Sequence, residues 1–278
     1  MTARRIGAAI AATAALTLGL AACGGSNDAG STGTAGKKMK IGIKFDQPGL
    51  GLKQGDKYTG MDVDVARYVA KKLGTDEKDI SWVQAPSAQR ETLLETGQVD
   101  MVVGTYSITD KRKEKVAFAG PYFIAGQDLL VRADDTSITG VDSLAGKKLC
   151  SVKGSTSAQQ VKDKVPTVNL QEFATYSECV SGLVSKAVDA LTTDDTILAG
   201  YAAQDQYKGK LKVVGKPFSK ERYGIGLKKG DKDMCTKATD AIKSMVSDGS
   251  WKKAVDDNLG AANYKPGEGN PPTPDACA

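Results

Sequence analysis

The sequence contains no histidine, and this absence excludes several classes of function. Catalysis by a serine–histidine–aspartate or a cysteine–histidine arrangement is impossible without an imidazole base. Zinc, copper and haem sites that depend on histidine ligands are excluded for the same reason. The cysteines show no CxxC spacing either. We therefore expect neither a metal ion nor a cofactor.

Long apolar runs are almost absent, and the one that stands out lies near the N-terminus. Arg4 and Arg5 precede an apolar run of about fifteen residues that ends at Leu20. A helix needs about 20 apolar residues to span a bilayer, so this run is too short to be a comfortable membrane span. The pattern is typical of an export signal, which we place at residues 1–22.

The segment after this run predicts a lipid anchor. Leu20-Ala21-Ala22-Cys23 resembles the bacterial lipobox, in which the cysteine is lipid-modified and begins the mature chain. An ordinary cleavage site followed by a chance cysteine is the alternative. Residues 23–38 are rich in Gly, Ser and Thr and predict a flexible tether. Because one acyl chain anchors weakly, we expect at least two on Cys23, at the outer face of the cell membrane.

The remaining cysteines agree with export. An even number outside the cell suggests two disulfides, and four cysteines allow three pairings. Free or buried thiols are the alternative. The four are Cys150, Cys179, Cys235 and Cys277.

The charge balance is mild. The net charge of +5 falls to +3 once Arg4 and Arg5 are removed with the signal. Lysines alternate with acids along the predicted helices, which indicates a solvated surface rather than a nucleic-acid interface. We expect no nucleic-acid partner. About 240 residues follow the signal and tether, enough for two lobes with separate cores.

Strand-like and helix-like segments alternate along the chain, which predicts an α/β fold. Apolar spacing of three and four residues marks the helices, and short β-branched runs mark the strands. The predicted strands are 40–45, 80–83, 101–105, 127–132, 148–152, 169–173, 188–192, 211–214 and 224–227. The predicted helices are 61–73, 89–96, 109–115, 157–164, 177–185, 196–203, 234–247 and 251–255, and residues 263–278 are irregular.

Two segments repeat the same local pattern. Residues 94–100 and 183–189 each end a helix, turn tightly and lead into a strand that ends in polar residues. Two copies of one unit in separate halves suggest two similar lobes, although a coincidence of common α/β patterns is the alternative. Ligands of open α/β sheets bind beyond the carboxyl ends of the strands, so two such ends can face each other across a cleft.

The sharpest single signal for a binding site lies at residues 104–113. Thr109 occupies the position of a helix N-cap. Lys111, Arg112 and Lys113 follow in the first turn, where cations oppose the helix dipole. A local rule broken without visible compensation points to function, here a receptor for a carboxylate. A solvated basic turn is the alternative.

Several motifs follow one another in order along the chain: Tyr58 to Ala66, Gln89-Arg90 with Leu94, Gly97 and Asp100, Gly104 to Arg112, Phe118 to Tyr122, Lys153 to Thr156, and Val188 to Asp195. Together they resemble the amino-acid-binding, family-3 solute-binding proteins of ABC importers, over residues 39–260. The segment 41–53 is similar to the glutamate-binding lipoproteins of actinobacteria, the high-GC Gram-positive bacteria.

The resemblance implies the two-lobed, type II fold of periplasmic binding proteins with two hinge crossovers. Lobe one would comprise residues 39–124 and 219–262, and lobe two residues 130–213, with residues 263–278 as a tail. The crossovers would lie near 124–130 and 213–219. A bridge between lobes would obstruct closure. The resemblance therefore favours Cys150–Cys179 within lobe two and Cys235–Cys277 between lobe one and the tail.

The resemblance also implies roles at the site. Arg112 would bind the α-carboxylate of a free amino acid through its planar fork, together with the backbone N–H of Thr156. Asp194 would accept the ammonium group, helped by the Thr105 carbonyl and the Ser107 hydroxyl. A plain helix cap is the alternative for 154–156, and an N-cap of helix 196–203 is the alternative or additional role of Asp194.

Selectivity is assigned by the similarity to glutamate binders. Arg90 and Lys44 would face the side-chain carboxylate, with Tyr176 as a hydrogen-bond donor. Together with Arg112, these two residues make three cations, and Asp194 is the one carboxylate opposite them. The resulting net charge of +2 suits a ligand of charge −1. Ordinary surface charge is the alternative for Arg90 and Lys44.

We therefore expect a monomeric, lipid-anchored receptor that passes L-glutamate to an ABC permease. Glutamine or aspartate as the ligand, and a sensor role, are the alternatives within the binding class. An enzyme of the dehydratase type is the alternative outside it. A dehydratase needs a general acid or base, and the expected pocket offers one carboxylate that already serves the ammonium group. We expect no catalysis.

Overall fold

The computed structural model describes residues 37–277, in which thirteen strands form two five-stranded sheets and one three-stranded sheet. The predicted signal peptide, Cys23 and most of the predicted tether lie outside the described residues. The strands are β1 (Met39–Ile43), β2 (Asp46–Gln47), β3 (Gly51–Gln54), β4 (Lys57–Thr59), β5 (Ile80–Gln84), β6 (Met101–Val102), β7 (Val116–Ala125), β8 (Gln127–Arg132), β9 (Lys148–Val152), β10 (Asn169–Phe173), β11 (Ala190–Asp194), β12 (Leu211–Val213) and β13 (Glu221–Lys228).

Helices cover both five-stranded sheets. They are α1 (Met61–Lys72), α2 (Arg90–Glu95), α3 (Asp110–Lys113), α4 (Thr156–Lys164), α5 (Tyr176–Val184), α6 (Asp195–Ala202), α7 (Lys232–Ser247) and α8 (Ser250–Leu259). Within residues 37–277, no helix combines the length and the apolar character that a membrane crossing requires. The alternation of strands and helices confirms the predicted α/β class.

The two large sheets follow one plan. The first sheet has the strand order β5-β1-β6-β13-β7, and the second has β10-β9-β11-β8-β12. In each, the first three strands are parallel and the fourth runs antiparallel to the third. The chain passes from the first sheet to the second between Ala125 and Gln127, and it returns between Val213 and Glu221.

The entry to α1 shows how the sequence dictates the local structure. Met61, Val65 and Val69 are fully buried at helical spacing and face the first sheet's core. Gly60 precedes the helix at φ 122°, and a Cβ atom there would lie 2.0 Å from the carbonyl oxygen of Leu50. Only glycine fits that approach, so Gly60 fixes where the helix begins against the small β2–β3–β4 sheet.

Both disulfides join the cysteines that the resemblance paired. Cys150 in β9 is bonded to Cys179 in α5, with Cα atoms 5.5 Å apart. Cys235 in α7 is bonded to Cys277 in the C-terminal tail, with Cα atoms 5.9 Å apart. One bridge therefore staples a helix to the second sheet, and the other attaches the tail to a helix that packs on the first.

The differences from the sequence prediction include two in the first sheet. Strand β7, ten residues long, was not expected, because Gly120-Pro121 at its centre is typical of a turn. It lies at the edge of the first sheet, where proline is tolerated. The strand predicted at 101–105 ends instead at Val102, and the chain could not have continued it through Thr105, whose φ of 46° lies far from the extended values of a strand.

Candidate functional site

Polar side chains that follow the strand ends of the two large sheets meet at one place. Arg112, Ser107 and Glu221 come from the part of the chain that builds the first sheet, and they contact residues 154–160 at the start of α4. Among the eight residues predicted to bind a ligand, seven are buried and Thr156 is half-buried. Buried polar groups at facing strand ends are the expected setting of a binding site in α/β proteins.

Arg112 connects the two sheets. Thr109 caps the short helix α3 as predicted, because its hydroxyl accepts the backbone N–H of Arg112 at 3.2 Å. The guanidinium donates to the Ser107 carbonyl at 2.7 Å and to the Gly154 carbonyl at 3.1 Å. Its Nε lies 3.3 Å from a carboxylate oxygen of Glu91. The Arg112 guanidinium is thus held in place by acceptors on both sides of the cleft.

Arg90 lies beside Arg112 and is only 2 % exposed. Its guanidinium carbon lies 4.1 Å from the centre of the Tyr106 ring, and the same ring faces Arg112 at 5.0 Å. Burial and the neighbouring charge of Arg112 lower the pKa of Arg90 to about 10. Its Nη1 donates to the Gly104 carbonyl at 2.9 Å, whereas its buried Nε has no partner among residues 37–277.

Lys44, which directly follows β1, is a further buried cation at the site. Its ammonium group donates to the Ser87 hydroxyl at 2.8 Å. Burial, reinforced by the charge of Arg90, lowers the pKa of Lys44 well below its ordinary value. In the described part of the chain, Lys44 and Arg90 make hydrogen bonds only to uncharged groups. The buried carboxylate of Asp62 acts on both cations, but its oxygens bind Thr105 and Tyr122 instead of either cation. A buried charge that no opposite charge contacts directly is costly, so this pair favours an anionic partner.

Asp194 lies across the cleft at the end of β11. Its carboxylate accepts the Tyr223 hydroxyl at 2.6 Å and the Ser157 hydroxyl at 3.4 Å. It stands at the N-cap position of α6, but its side chain makes no capping hydrogen bond. Burial, followed by the nearby charge of Glu221, raises the pKa of Asp194 well above its ordinary value. A cationic group placed here would stabilise the carboxylate.

The remaining predicted residues line the space between these charges. The Thr156 hydroxyl lies 3.3 Å from that of Ser107, while Ser155 provides the side-chain cap of α4. Burial and the charge of Asp194 raise the pKa of Tyr176 to about 12. The Tyr176 backbone N–H donates at 2.9 Å to Asp46, which follows the first sheet's strand β1. The structure therefore brings together all the predicted binding residues.

Glu221 was missed by the sequence analysis. It begins β13, directly after the second crossover, and it is 2 % exposed. Its carboxylate accepts the Gln160 amide at 2.6 Å, the Ser219 hydroxyl at 2.8 Å and the Thr156 hydroxyl at 2.9 Å. The expectation of a single carboxylate at the site is therefore wrong. An acid immediately after a crossover was the available signal, since a crossover passes beside the cleft.

The cleft is narrow in this structure. A cavity of about 10 Å³ lies between the sheets and is lined by Lys44, Asp46 and Tyr176. Such a space holds roughly one water molecule.

Comparison with known proteins gives consistent matches. The family of bacterial extracellular solute-binding proteins, family 3, matches residues 39–261. Glutamate-binding protein GluB of Corynebacterium glutamicum is 46 % identical over 280 residues, covering 96 % of this chain and 94 % of that protein. ABC transporter glutamine-binding protein GlnH of Bacillus subtilis is 37 % identical over 249 residues, covering 84 % and 89 %. The solved structure of an ancestral arginine-binding protein bound to glutamine has a TM-score of 0.75 and 33 % identity, and the match covers 80 % of this chain and 98 % of that one.

Proposed function

This chain belongs to the bacterial extracellular solute-binding proteins of family 3, and from that premise we propose that it is a lipid-anchored receptor for L-glutamate. Its fold is that of the type II periplasmic amino-acid-binding proteins. The relatives named above are binding proteins, and the chain is an amino-acid-binding receptor. In our proposal it works outside the cytoplasm, as a monomer without catalytic activity, and passes its ligand to an ABC permease.

One observation carries the choice of glutamate. Lys44 and Arg90 are both buried at the site and make hydrogen bonds only to uncharged groups within residues 37–277. A side-chain carboxylate would supply an opposite charge in direct contact with these cations, which the nearby carboxylate of Asp62 does not, whereas the neutral amide of glutamine would supply no charge. The relatives include both a glutamate-binding and a glutamine-binding protein, so this difference in charge is what favours the acid.

The rest of the ligand is assigned to the neighbouring groups. Arg112 and the Thr156 backbone N–H would bind the α-carboxylate. Asp194, the Thr105 carbonyl and the Ser107 hydroxyl would receive the ammonium group, and Tyr176 would donate to the side chain. Burial of both Arg112 and Asp194 supports this polarity, because a zwitterion supplies one opposite charge to each.

Closure and anchoring complete the proposal. We assign lobe one to residues 39–124 and 219–262 and lobe two to 130–213, with bending at the crossovers between them. Cys23 would carry the lipid. Membrane fractionation of the Cys23→Ala variant tests the anchor, since retention of that variant in the membrane would contradict it.

Thermal-shift screening of the purified protein against the standard amino acids tests the ligand. Glutamate should stabilise most, with smaller shifts for aspartate and glutamine. N-acetyl-L-glutamate, which lacks the ammonium group, is the matched control and should stabilise little. X-ray scattering of the same samples should show a more compact particle with saturating glutamate. A preference for arginine or lysine would contradict the proposal, as would the absence of any stabilising amino acid.

A further inference from the structure

The backbone of Thr105 is held in a conformation that its side chain disfavours. Its φ of 46° lies in the left-handed region, which β-branched residues rarely adopt. Such strain persists only where the surroundings impose it, and it concentrates at functional sites. Thr105 is also one of the residues to which we assign the ammonium group of the ligand.

Asp62 supplies the main contact that imposes this conformation. It lies at the second position of α1 and is fully buried. One oxygen of its carboxylate accepts the Thr105 backbone N–H at 3.0 Å, and the other accepts the Tyr122 hydroxyl at 2.7 Å. A buried carboxylate with one bond to a strained peptide and one to an anchored tyrosine is a rigid support for that peptide.

The same segment is held from its other side by Arg90. Nη1 of Arg90 donates to the Gly104 carbonyl at 2.9 Å and, less closely, to the Thr105 carbonyl at 3.4 Å. The Thr105 hydroxyl donates to the Gly104 carbonyl at 2.9 Å. The Gly104–Thr105 segment thus lies between a carboxylate that binds its N–H and a guanidinium that binds its carbonyls.

Resting on the proposed function, we infer that Asp62 is a positioning residue of the ligand site, holding Thr105 in its left-handed conformation so that the Gly104–Thr105 carbonyls orient both Arg90 and the ligand. Asp62 need not touch the ligand to do this. Its removal releases the segment, and the ammonium acceptor and the Arg90 fork both lose their fixed positions.

The charges around Asp62 make the inference separable from a simple electrostatic effect. The titratable groups that face it are Lys44 after β1, Arg90 on α2 and Tyr122 on β7. Neutralising Asp62 would leave the pocket more positive, which by itself strengthens the binding of an anionic ligand. Loss of positioning weakens binding instead. The two effects have opposite signs, so the direction of the change decides between them.

Burial also makes Asp62 sensitive to acid. It raises the pKa of Asp62 to about 6, although the hydrogen bonds from Tyr122 and Thr105 and the charges of Lys44 and Arg90 act against this rise. As the pH falls through about 6, the protonated carboxyl holds the Thr105 N–H less strongly. As the pH is lowered, the affinity of the wild type should therefore begin to fall at a higher pH than the affinity of Asp62→Asn, which has no carboxyl group to protonate at this position.

A double-mutant cycle measured by calorimetry tests the inference. Asp62→Asn should weaken glutamate binding by about tenfold. Thr105→Gly keeps the carbonyl but removes the conformational strain, so in the Asp62→Asn background it should restore most of the loss. Circular dichroism checks that each variant is folded. Additive losses, or normal affinity of Asp62→Asn, would overturn the inference.

A second pair of variants decides the question if Asp62→Asn does not fold. Tyr122→Phe removes the hydroxyl bonded to Asp62, whereas Tyr68→Phe removes a hydroxyl bonded to the exposed carboxylate of Asp248. Only Tyr122→Phe should weaken binding, by about threefold to tenfold. Equal affinities of the two variants would overturn the inference about Asp62 and leave the proposed function standing. A wild-type protein that binds no free amino acid would instead contradict the proposed function on which it rests.

Discussion

The two large sheets share one pattern of parallel and antiparallel strands but carry opposite charges at their facing strand ends. The first sheet and its loops present Lys44, Arg90 and Arg112, all buried. The second presents the carboxylate of Asp194 with a row of hydroxyls at the start of α4. A common architecture therefore fixes where the functional groups lie, and the loop residues decide their charge. Within our proposal, a zwitterionic ligand suits such an arrangement because each half would bind one of its charges.

Glu221 is the exception that refines this comparison. It starts a strand of the first sheet, yet its carboxylate binds Thr156 and Gln160 of α4. The first half thus contributes an acid to the anionic side of the cleft. Glu221 can reach α4 because β13 begins at the end of the second crossover, where the chain has just left the second sheet.

The largest effect should follow removal of the cation that spans both halves. Arg112→Ala should weaken glutamate binding by about 2–5 kcal/mol, since one partner of a buried charge pair is lost. Calorimetry measures it. Arg67→Ala, which removes a partly exposed arginine of α1 paired with Asp64 and Glu77, is the matched control and should leave the affinity unchanged. A near-normal dissociation constant for Arg112→Ala would contradict its assignment.

The disulfides offer a way to compare the stability of the two halves. Replacing Cys150 and Cys179 with alanine should lower the free energy of unfolding by about 3–4 kcal/mol, because the bridge closes a loop across 29 residues. Both tryptophans, Trp82 in β5 and Trp251 in α8, belong to the first half. Denaturation followed by circular dichroism should therefore begin earlier than denaturation followed by tryptophan fluorescence.

The control for this experiment is the other bridge. Replacing Cys235 and Cys277 frees the tail from α7, and that half contains both fluorophores. In this variant the fluorescence transition should move as early as the dichroism transition. Coincident transitions in both double variants would show that the halves unfold as one unit, and the comparison of separate stabilities would be abandoned.

A smaller effect should separate glutamate from glutamine. Lys44→Gln should weaken glutamate binding about tenfold, equivalent to about 1.4 kcal/mol, and leave glutamine binding nearly unchanged. Because burial lowers the pKa of Lys44, a ligand carboxylate beside it should raise that pKa again, so binding should take up protons at pH values between the pKa of the empty site and that of the loaded site.

Calorimetry in buffers of different ionisation enthalpy measures this proton uptake. It should be present for the wild type and reduced for Lys44→Gln. Lys40→Gln, which changes an exposed lysine on β1 four residues before Lys44, is the matched control. An equal loss for both ligands would mean that Lys44 supports the pocket without selecting the acid.

Much of the fold could be predicted from local patterns. Strands 127–132 and 169–173 were placed at their observed limits, and the Thr109 cap was found from one hydroxyl before a polar turn. Propensity and periodicity suffice where neighbouring residues determine the conformation. The β2–β3–β4 sheet was missed because its strands have only two to four residues, and packing against Leu50 and α1 stabilises them.

Part of the candidate site could be predicted from the sequence for the same reason. Residues that follow strand ends were identified, and the structure brings them together, whereas their roles with a ligand stay predictions. Glu221 and Asp62 could not be placed, because each reaches the site by a contact between distant parts of the chain: Thr156 lies 65 residues before Glu221, and Thr105 lies 43 residues after Asp62. No local pattern encodes such a contact.

The bonds from Glu221 to α4 and from Asp46 to α5 join the two halves through protein groups alone. Within our proposal, their strength would set the population of empty receptor that already has the shape of the loaded one. Within our proposal, that population would compete with cargo-bearing receptors for the same transporter. Selection would then act on two quantities at once, the affinity for the amino acid and the unproductive binding of empty receptor to the transporter. Changes in these few bonds could shift both without altering any group that would contact the amino acid.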